Sequence, residues 1–377
     1  MKGKCQEQLG RTLIFIVVTL MIFTWVSASV SSPPVRFTVL TLAVPSSGIP
    51  LPLQLVLAHG WQLQVAKEGV GYPWWTIGGF GVDFMTGEES ENDLRTRLLQ
   101  VWRQTNWDPM IVRQARSLSS RQIQAWKREP MEWLRWQART IAIGEQIASL
   151  DPEQLSRIRL DDVSAVLRRL SRYDLPLLDY DPVSRSWRFP TLPITTPTIR
   201  SKFRQTLKLP LSQRVHALWW TVVKGDPVIA MVVGELLGGG TGAKWFQLLR
   251  GDKPVAYHAV AQVQWTIVGS ELALYAATVP EDFKLARQRA QQLLLNLSQG
   301  KIDGSEFERA KKLAELRFRQ IISDPINLSR TRAIWLMSGP LLSGWESLPE
   351  RLQFLSLEEF RAFCRSLPPT AEIIALP

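Results

Sequence analysis

The stretch "DPVIAMVVGELLGGGTGAKWFQLLRGDKPVAYHAVAQ" (Asp226–Gln262) decides how the chain is read. Asp226 followed by Pro227 is a helix start: the carboxylate accepts free backbone amides, and proline sits where no amide is needed. The apolar run ends at Gly238, Gly239 and Gly240, with Gly242 close behind. Glycines there are what a helix end with positive φ requires. "AKWFQLLRGD" reads as a short helix. "VAYHAVAQVQWTIVGSELALYAATV" reads as two strands turning at Gly269-Ser270. Three glycines near a lysine superficially suggest a phosphate loop. That loop needs a hydroxyl residue directly after its Gly-Lys and must follow a strand. Lys244 lies between Ala243 and Trp245, and the run follows a helix. The turn is therefore a helix cap and not a nucleotide site.

Working outward, "QRVHALWWTVV" (Gln213–Val223) reads as a strand. "EDFKLARQRAQQLLLNLSQGKI" is an amphipathic helix ending at Gly300. "GSEFERAKKLAELRFRQII" is another, started by Ser305. "LSLEEFRAFCRSL" is a last helix and "AEIIAL" (Ala371–Leu376) a last strand. Towards the N-terminus, prolines at 176, 182, 190, 193, 197 and 210 mark a linker over 175–210, partly extended, with one strand near "SRSWRFPTL". The half before it opens with a strand, "VRFTVLTLAV" (Val35–Val44). "LPLQLVLAHGWQLQVA" (Leu51–Ala66) reads as a further strand. "WWTIGGFGVDFMTG" (Trp74–Gly87) reads as one strand interrupted by glycines. Helices follow: one with Leu94, Leu98, Val101 and Trp102 at helical spacing, a long one that Pro130 starts or kinks, one capped by Asp151, and one opening at Leu160. Trp133 and Trp136 flank Arg135 on a face read as a junction between halves or with a partner. Strands and helices alternate in blocks in both halves, as in a duplicated α+β domain.

Composition bounds the function classes. The 377 residues suffice for two domains, and the formal charge is +11. The basic residues are scattered through helices, so solvated faces explain them better than a nucleic-acid groove. Residues 1–28 read as a targeting segment. Lys2, Lys4 and Arg11 precede the apolar run Thr12–Val26, which is short for a membrane span, and Val26-Ser27-Ala28 offers a cleavage site. Residues 12–26 serve either as a removed signal or as an uncleaved anchor. In both cases the bulk of the chain is expected outside the cytosol, periplasmic or secreted. Cys5 and Cys364 are the two cysteines, so no internal disulfide survives cleavage. The three histidines, His59, His216 and His258, form no H-E-x-x-H or H-x-x-E-H pair, and no G-x-S-x-G elbow is present. The sequence supplies no metal-ligand set of its own.

From about Gln213 to Pro377 the chain resembles the second domain of the M16 (insulinase/pitrilysin-like) zinc peptidases. The helix ending in "LLGGG", the short helix "AKWFQLLR", the "VAY" that opens a strand, and "SQGKIDGSEFERAKK" carry the likeness. "DPEQLSRIRLDDVSAVLRRL" and "WTIGGFGVDFMTG" are similar to parts of a first M16 domain. An early helix bearing H-x-x-E-H is missing from this reading. The resemblance implies two M16-like α+β domains, each an antiparallel-rich sheet covered by helices. The first is degenerate and shortened (29–174), followed by the linker (175–210) and the second (211–377). It implies that Arg250 and Tyr257 face a zinc site held by another chain, the arginine binding substrate oxygens and the phenol supporting a developing oxyanion. An exposed helix-end cation and a core strand aromatic are the plainer readings of the same two residues. It further implies no cofactor in this chain, zinc in an H-x-x-E-H partner, a heterodimer closing around an unfolded peptide, and Gly238–Gly242 facing that chamber. Nucleic acid is not an expected partner. A peptide-binding or scaffolding pseudoenzyme at the membrane is the alternative.

Overall fold

The computed structural model describes residues 37–46, 48–144, 151–181, 186–188, 197–209, 212–251, 253–339 and 348–377. The targeting or anchor segment, Cys5, the Ser/Pro stretch after it, and Pro182, Pro190, Pro193 and Pro210 of the linker lie outside the described residues.

Among the described residues a three-stranded and a five-stranded sheet organise the fold, beside a small two-stranded pair. Three strands, β1 (Phe37–Pro45), β2 (Val70–Thr76) and β3 (Gly79–Gly87), form the first in the order β1-β3-β2. Between β1 and β2 runs helix α1 (Leu51–Gln64), where the apolar run was read as a strand. Pro50 and Pro52 set φ at its entry, and eleven consecutive residues from Leu51 to Trp61 are buried. A segment buried on every side shows no apolar period, so composition alone pointed to a strand. The stretch Trp74–Gly87 is not one strand either. It is most of a hairpin, β2 against β3, turning where Gly78 takes φ +89. Helices α2 (Glu91–Arg103), α3 (Pro109–Arg128), α4 (Pro130–Ile143), α5 (Pro152–Arg157) and α6 (Leu160–Leu170) follow. Pro130 starts α4 rather than kinking a single helix, because Glu129 leaves helical geometry immediately before it.

Within the stretch read as linker, β4 (Asp179–Asp181) pairs with β5 (Ser186–Arg188), and β6 (Arg204–Lys208) joins the second sheet. That sheet continues with β7 (Val215–Val223), β8 (His258–Thr266), β9 (Gly269–Thr278) and β10 (Ala371–Leu376), ordered β6-β10-β7-β9-β8. Only the β6–β10 pairing is parallel. Its helices are α7 (Pro227–Gly238), α8 (Lys244–Arg250), α9 (Pro280–Ser298), α10 (Gly304–Ser323), α11 (Pro325–Ser338), α12 (Leu348–Phe354) and α13 (Leu357–Arg365). Helix α10 is capped by Asp303, not started by Ser305: the Asp303 carboxylate accepts from Ser305 and Glu306 amides, and Glu306 reaches back to the Asp303 amide. α11 and α12 were not read from the sequence. The mixed α+β fold expected from the block pattern is thus present, with a smaller first sheet than second.

The second sheet is covered on both faces. α7, α9 and α10 bury one face with Trp219, Trp245, Phe307 and Phe360 at its core. α4, which comes from the first half, buries the other: Leu134, Ala138 and Ala142 pack on Leu218, Trp220, Tyr275 and Ile373. Two charged ties fix this arrangement. Arg139 on α4 donates to both carboxylate oxygens of the fully buried Glu271, which also accepts from the Trp220 indole. Arg135 donates to Gln262 on β8 at 2.8 Å. The face carrying Arg135 is therefore a junction between the halves, as its spacing beside two tryptophans indicated. A further tie joins the first sheet to α11. Asp83 of β3 accepts from Thr41, the Trp74 indole and Arg330, and Thr41 meets Ser329 at 2.7 Å. The two hairpin tips also touch: Ile267 donates its amide to Ile77, and a Cβ on Gly79 would lie 2.1 Å from the Ile267 side chain. Residues Thr38–Pro377 consequently form one unit.

Candidate functional site

The glycine turn begins against β8, and Tyr257, the residue before β8, is held by Arg250. Helix α7 is capped by Asp226, whose Oδ1 accepts from the Val228 amide at 2.8 Å. At its other end a Cβ on Gly238 would stand 2.0 Å from the Ala261 carbonyl oxygen, so α7 and β8 touch backbone to backbone. Gly240 takes φ +81, as a helix-ending turn requires. Gly239 accepts from Arg309 at 3.2 Å, and Gly242 stands in open space but for Arg309.

Helix α8 buries Trp245 and Leu249 and carries Arg250 in its last turn. The amides of Val255 and Ala256 both return to the Leu249 carbonyl, at 2.9 and 3.2 Å. The next residue, Tyr257, donates its amide to the Ala277 carbonyl and is 54% exposed. It is thus not a sheet-core aromatic. The Arg250 guanidinium donates to the Tyr257 carbonyl oxygen, so the two expected residues are brought together within this chain.

Sequence reasoning missed a third member. The Arg214 guanidinium lies 4.1 Å over the Tyr257 ring. Its backbone amide donates to Ser212 Oγ, which meets His216 Nε2 at 2.7 Å; His216 Nδ1 meets the Tyr275 hydroxyl at 2.6 Å. The His258 ring packs edge-on against Tyr275. Burial lowers the His216 pKa, with Arg214 and His258 acting in the same direction. Burial raises the Tyr275 phenol, as does nearby Glu129, against Arg214. Both groups are therefore neutral near pH 7 and, through Ser212, serve as hydrogen-bonding struts beside the Arg214 backbone. Arg214 stands forty-three positions before Tyr257 in sequence, and only the pairing of β7 with β9 and β9 with β8 brings them together.

The other candidate position is α1, the first helix of the described residues. His59 is its histidine. Gln62 stands three residues on and Leu63 four on, the spacing at which H-x-x-E-H has a glutamate and a second histidine. Read as a strand, His59 and Gln62 fall on opposite faces; on a helix they share one. His59 Nδ1 meets Gln62 Oε1 at 3.1 Å, and Gln62 Nε2 donates to the Gly71 carbonyl at 2.8 Å. Burial lowers the His59 pKa, partly offset by the Gln62 hydrogen bond, and Nε2 has no protein partner. Zinc does not fit here. The site has one imidazole, a neutral amide already committed, and an alkyl side chain. Among the described residues no group of three or more His, Cys, Asp or Glu is placed to hold a metal ion. Nor, among those residues, is any helix long and apolar enough to cross a membrane.

No family model matches the sequence, and no curated protein matches it by sequence. Solved structures do match in three dimensions. A protein from Alicyclobacillus acidocaldarius assigned as an M16-like peptidase superposes with a TM-score of 0.69 at 15% identity, over 92% of this chain and 94% of that one. A peptidase M16 inactive domain from Pseudomonas fluorescens superposes with 0.65 at 13% identity, over the same shares. The fold is that of the M16-like peptidases. The M16-like unit also matches part of a longer chain. The periplasmic protease PqqL from Escherichia coli gives 0.62 at 13% identity, with 92% of this chain covering 43% of that one. At these identities the M16-like likeness establishes the fold alone.

Proposed function

We propose that this chain is a non-catalytic subunit of an extracytoplasmic M16-type zinc peptidase. It pairs with a chain carrying H-x-x-E-H, closes a chamber around an unfolded peptide, and presents Arg250 and Tyr257 to the partner's site. One observation carries this reading: α1 keeps His59 but has Gln62 and Leu63 where a zinc-binding helix has a glutamate and a histidine. A hydrolytic centre cannot form on it, while the M16-like fold around it is kept nearly whole. The inactive M16 domain supports the idea that such a fold persists without chemistry, and the longer periplasmic protease that one chain has room for more than one such unit. Tyr257 suits the assigned task because the residue is exposed and its backbone is held at both ends. The glycine turn, one short helix away, would line the chamber.

A second reading, a peptide-binding or scaffolding pseudoenzyme, draws on a specific feature. Arg250 is spent on the Tyr257 carbonyl and Arg214 on the ring, so both cations already have work within the chain. The deciding experiment is co-purification with candidate H-x-x-E-H chains, followed by peptidase assay with Arg250→Ala and Tyr257→Phe. A contributing pair loses about tenfold or more in kcat/KM in each variant. Full activity in both refutes the catalytic contribution and leaves the scaffold reading. Stoichiometric zinc with proteolysis in the isolated chain overturns both readings.

A further inference from the structure

The charge of +11 has no use in the function proposed above, and part of it gathers around one cleft. Between α3 and the α5–α6 turn lies a depression of about 410 Å³. Arg113 and Arg116 reach it from α3, Arg157 from the end of α5 and Arg159 from the turn, over a floor of Val112 and Ile158. Those two floor residues are buried. Four guanidinium groups around one cleft repel each other, and among the described residues only Arg157 has a carboxylate within ion-pair distance. Asp108, Asp151 and Asp162 accept from backbone amides as helix caps. Glu153 pairs with Arg157 at 3.2 Å, but both side chains are largely solvated, where an ion pair contributes little. Arg116 is held in place by one donation to the Ser156 carbonyl at 2.9 Å, which leaves the rest of its fork free. Among the described residues no carboxylate lies within ion-pair distance of Arg113 or Arg159.

We infer that this cleft binds a phosphate-bearing anion. A phosphate offers several oxygens to several planar forks at once, which a single carboxylate does not, and arginine is suited to such two-point donation. The apolar floor favours a ligand whose charged group adjoins a short apolar part, as in an anionic glycerophospholipid headgroup. A soluble phosphoanion shares the recognising chemistry. The cleft lies on the first half, and its residues include none of the glycine turn, Arg214, Arg250 or Tyr257.

The test compares Arg113→Gln/Arg159→Gln with a charge-matched control, Arg317→Gln/Arg319→Gln on α10. All four side chains are exposed, so unchanged thermal unfolding is expected. Two probes are used at physiological ionic strength, where surface charge acts over only about 8 Å. Pyrophosphate binding is followed by calorimetry, and vesicle binding by co-sedimentation with phosphatidylglycerol in phosphatidylcholine. The cleft variant should lose about tenfold or more in affinity while the control changes by less than about twofold. Loss confined to pyrophosphate assigns a soluble source. Loss for vesicles, with pyrophosphate competing, assigns the headgroup. Equal loss in both variants means diffuse charge alone and overturns the inference, as does failure of the wild-type chain to bind either probe.

Discussion

Arg330→Ala should be among the most damaging single substitutions in the chain, and its damage should depend on pH. Asp83 is 0% exposed. Its Oδ2 accepts from Arg330 Nε at 2.8 Å and lies 2.6 Å from Nη2, while Oδ1 accepts from Thr41 at 2.8 Å and Trp74 at 3.1 Å. Truncating Arg330 leaves a buried carboxylate with two neutral donors, a change that costs about 3–5 kcal/mol. Against a usual total of about 5–15 kcal/mol that is a large fraction. Burial raises the Asp83 pKa, and Arg330 is the chief influence opposing it. The native state therefore holds this proton more tightly than the unfolded chain, where aspartate titrates near about 3.9. Stability falls as pH climbs from there through the native value. Without Arg330 the native value moves further up and the window widens. Urea unfolding at about pH 7 and about pH 5 reads the effect: the variant's loss relative to wild type should be greater at the higher pH. In the Asp83→Asn/Arg330→Ala double variant, removal of the charge should restore part of the loss. An equal loss at both pH values, or one below about 1 kcal/mol at pH 7, would falsify the account of Asp83 as a buried charge held by Arg330.

Two further substitutions probe the other tie and the glycine turn. Glu271→Gln leaves Arg139 buried without a counter-charge and should cost about 3–5 kcal/mol at pH 7, read from the urea midpoint. Burial opposes ionisation of Glu271, but Arg139 and Arg135 outweigh it and hold the pKa below the ordinary value. Its contribution is present above about pH 4.3 and is lost as pH falls through the native value. The wild-type chain should therefore lose stability more steeply than the variant over that acidic range. Gly238→Ala should cost about 1–3 kcal/mol by thermal unfolding, because its Cβ meets the Ala261 carbonyl, whereas Gly242→Ala should change stability by less than about 0.5 kcal/mol. Equal effects at the two glycines would remove close backbone approach as the reason for the run.

Much of the second sheet's half was legible. Asp226-Pro227 marked the start of α7, the glycines its end, and Gly300 the end of α9, because caps and positive-φ turns are local chemistry written into a few adjacent residues. The first half was less so. α1 and the β2–β3 hairpin were misread because their segments are buried on every side or are rich in glycine, and both conditions erase the periodicity that separates helix from strand. Reading α1 as a strand also kept His59, Gln62 and Leu63 off a common helix face. At the candidate site Arg250 and Tyr257 were named from a resemblance, while Arg214 was not, since nothing in its neighbourhood sets it apart from other exposed arginines.

The sequence by itself determined the caps, the turns, the block order of strands and helices, and the lack of a zinc-binding histidine pair, all of which depend on residues a few positions apart. Only the tertiary structure decided that α4 crosses to cover the second sheet, that Asp83 and Glu271 tie one half to the other, and that Arg214 stands over Tyr257. Those contacts join residues far apart in sequence. Their partners are selected by strand register and helix packing, which no local pattern encodes.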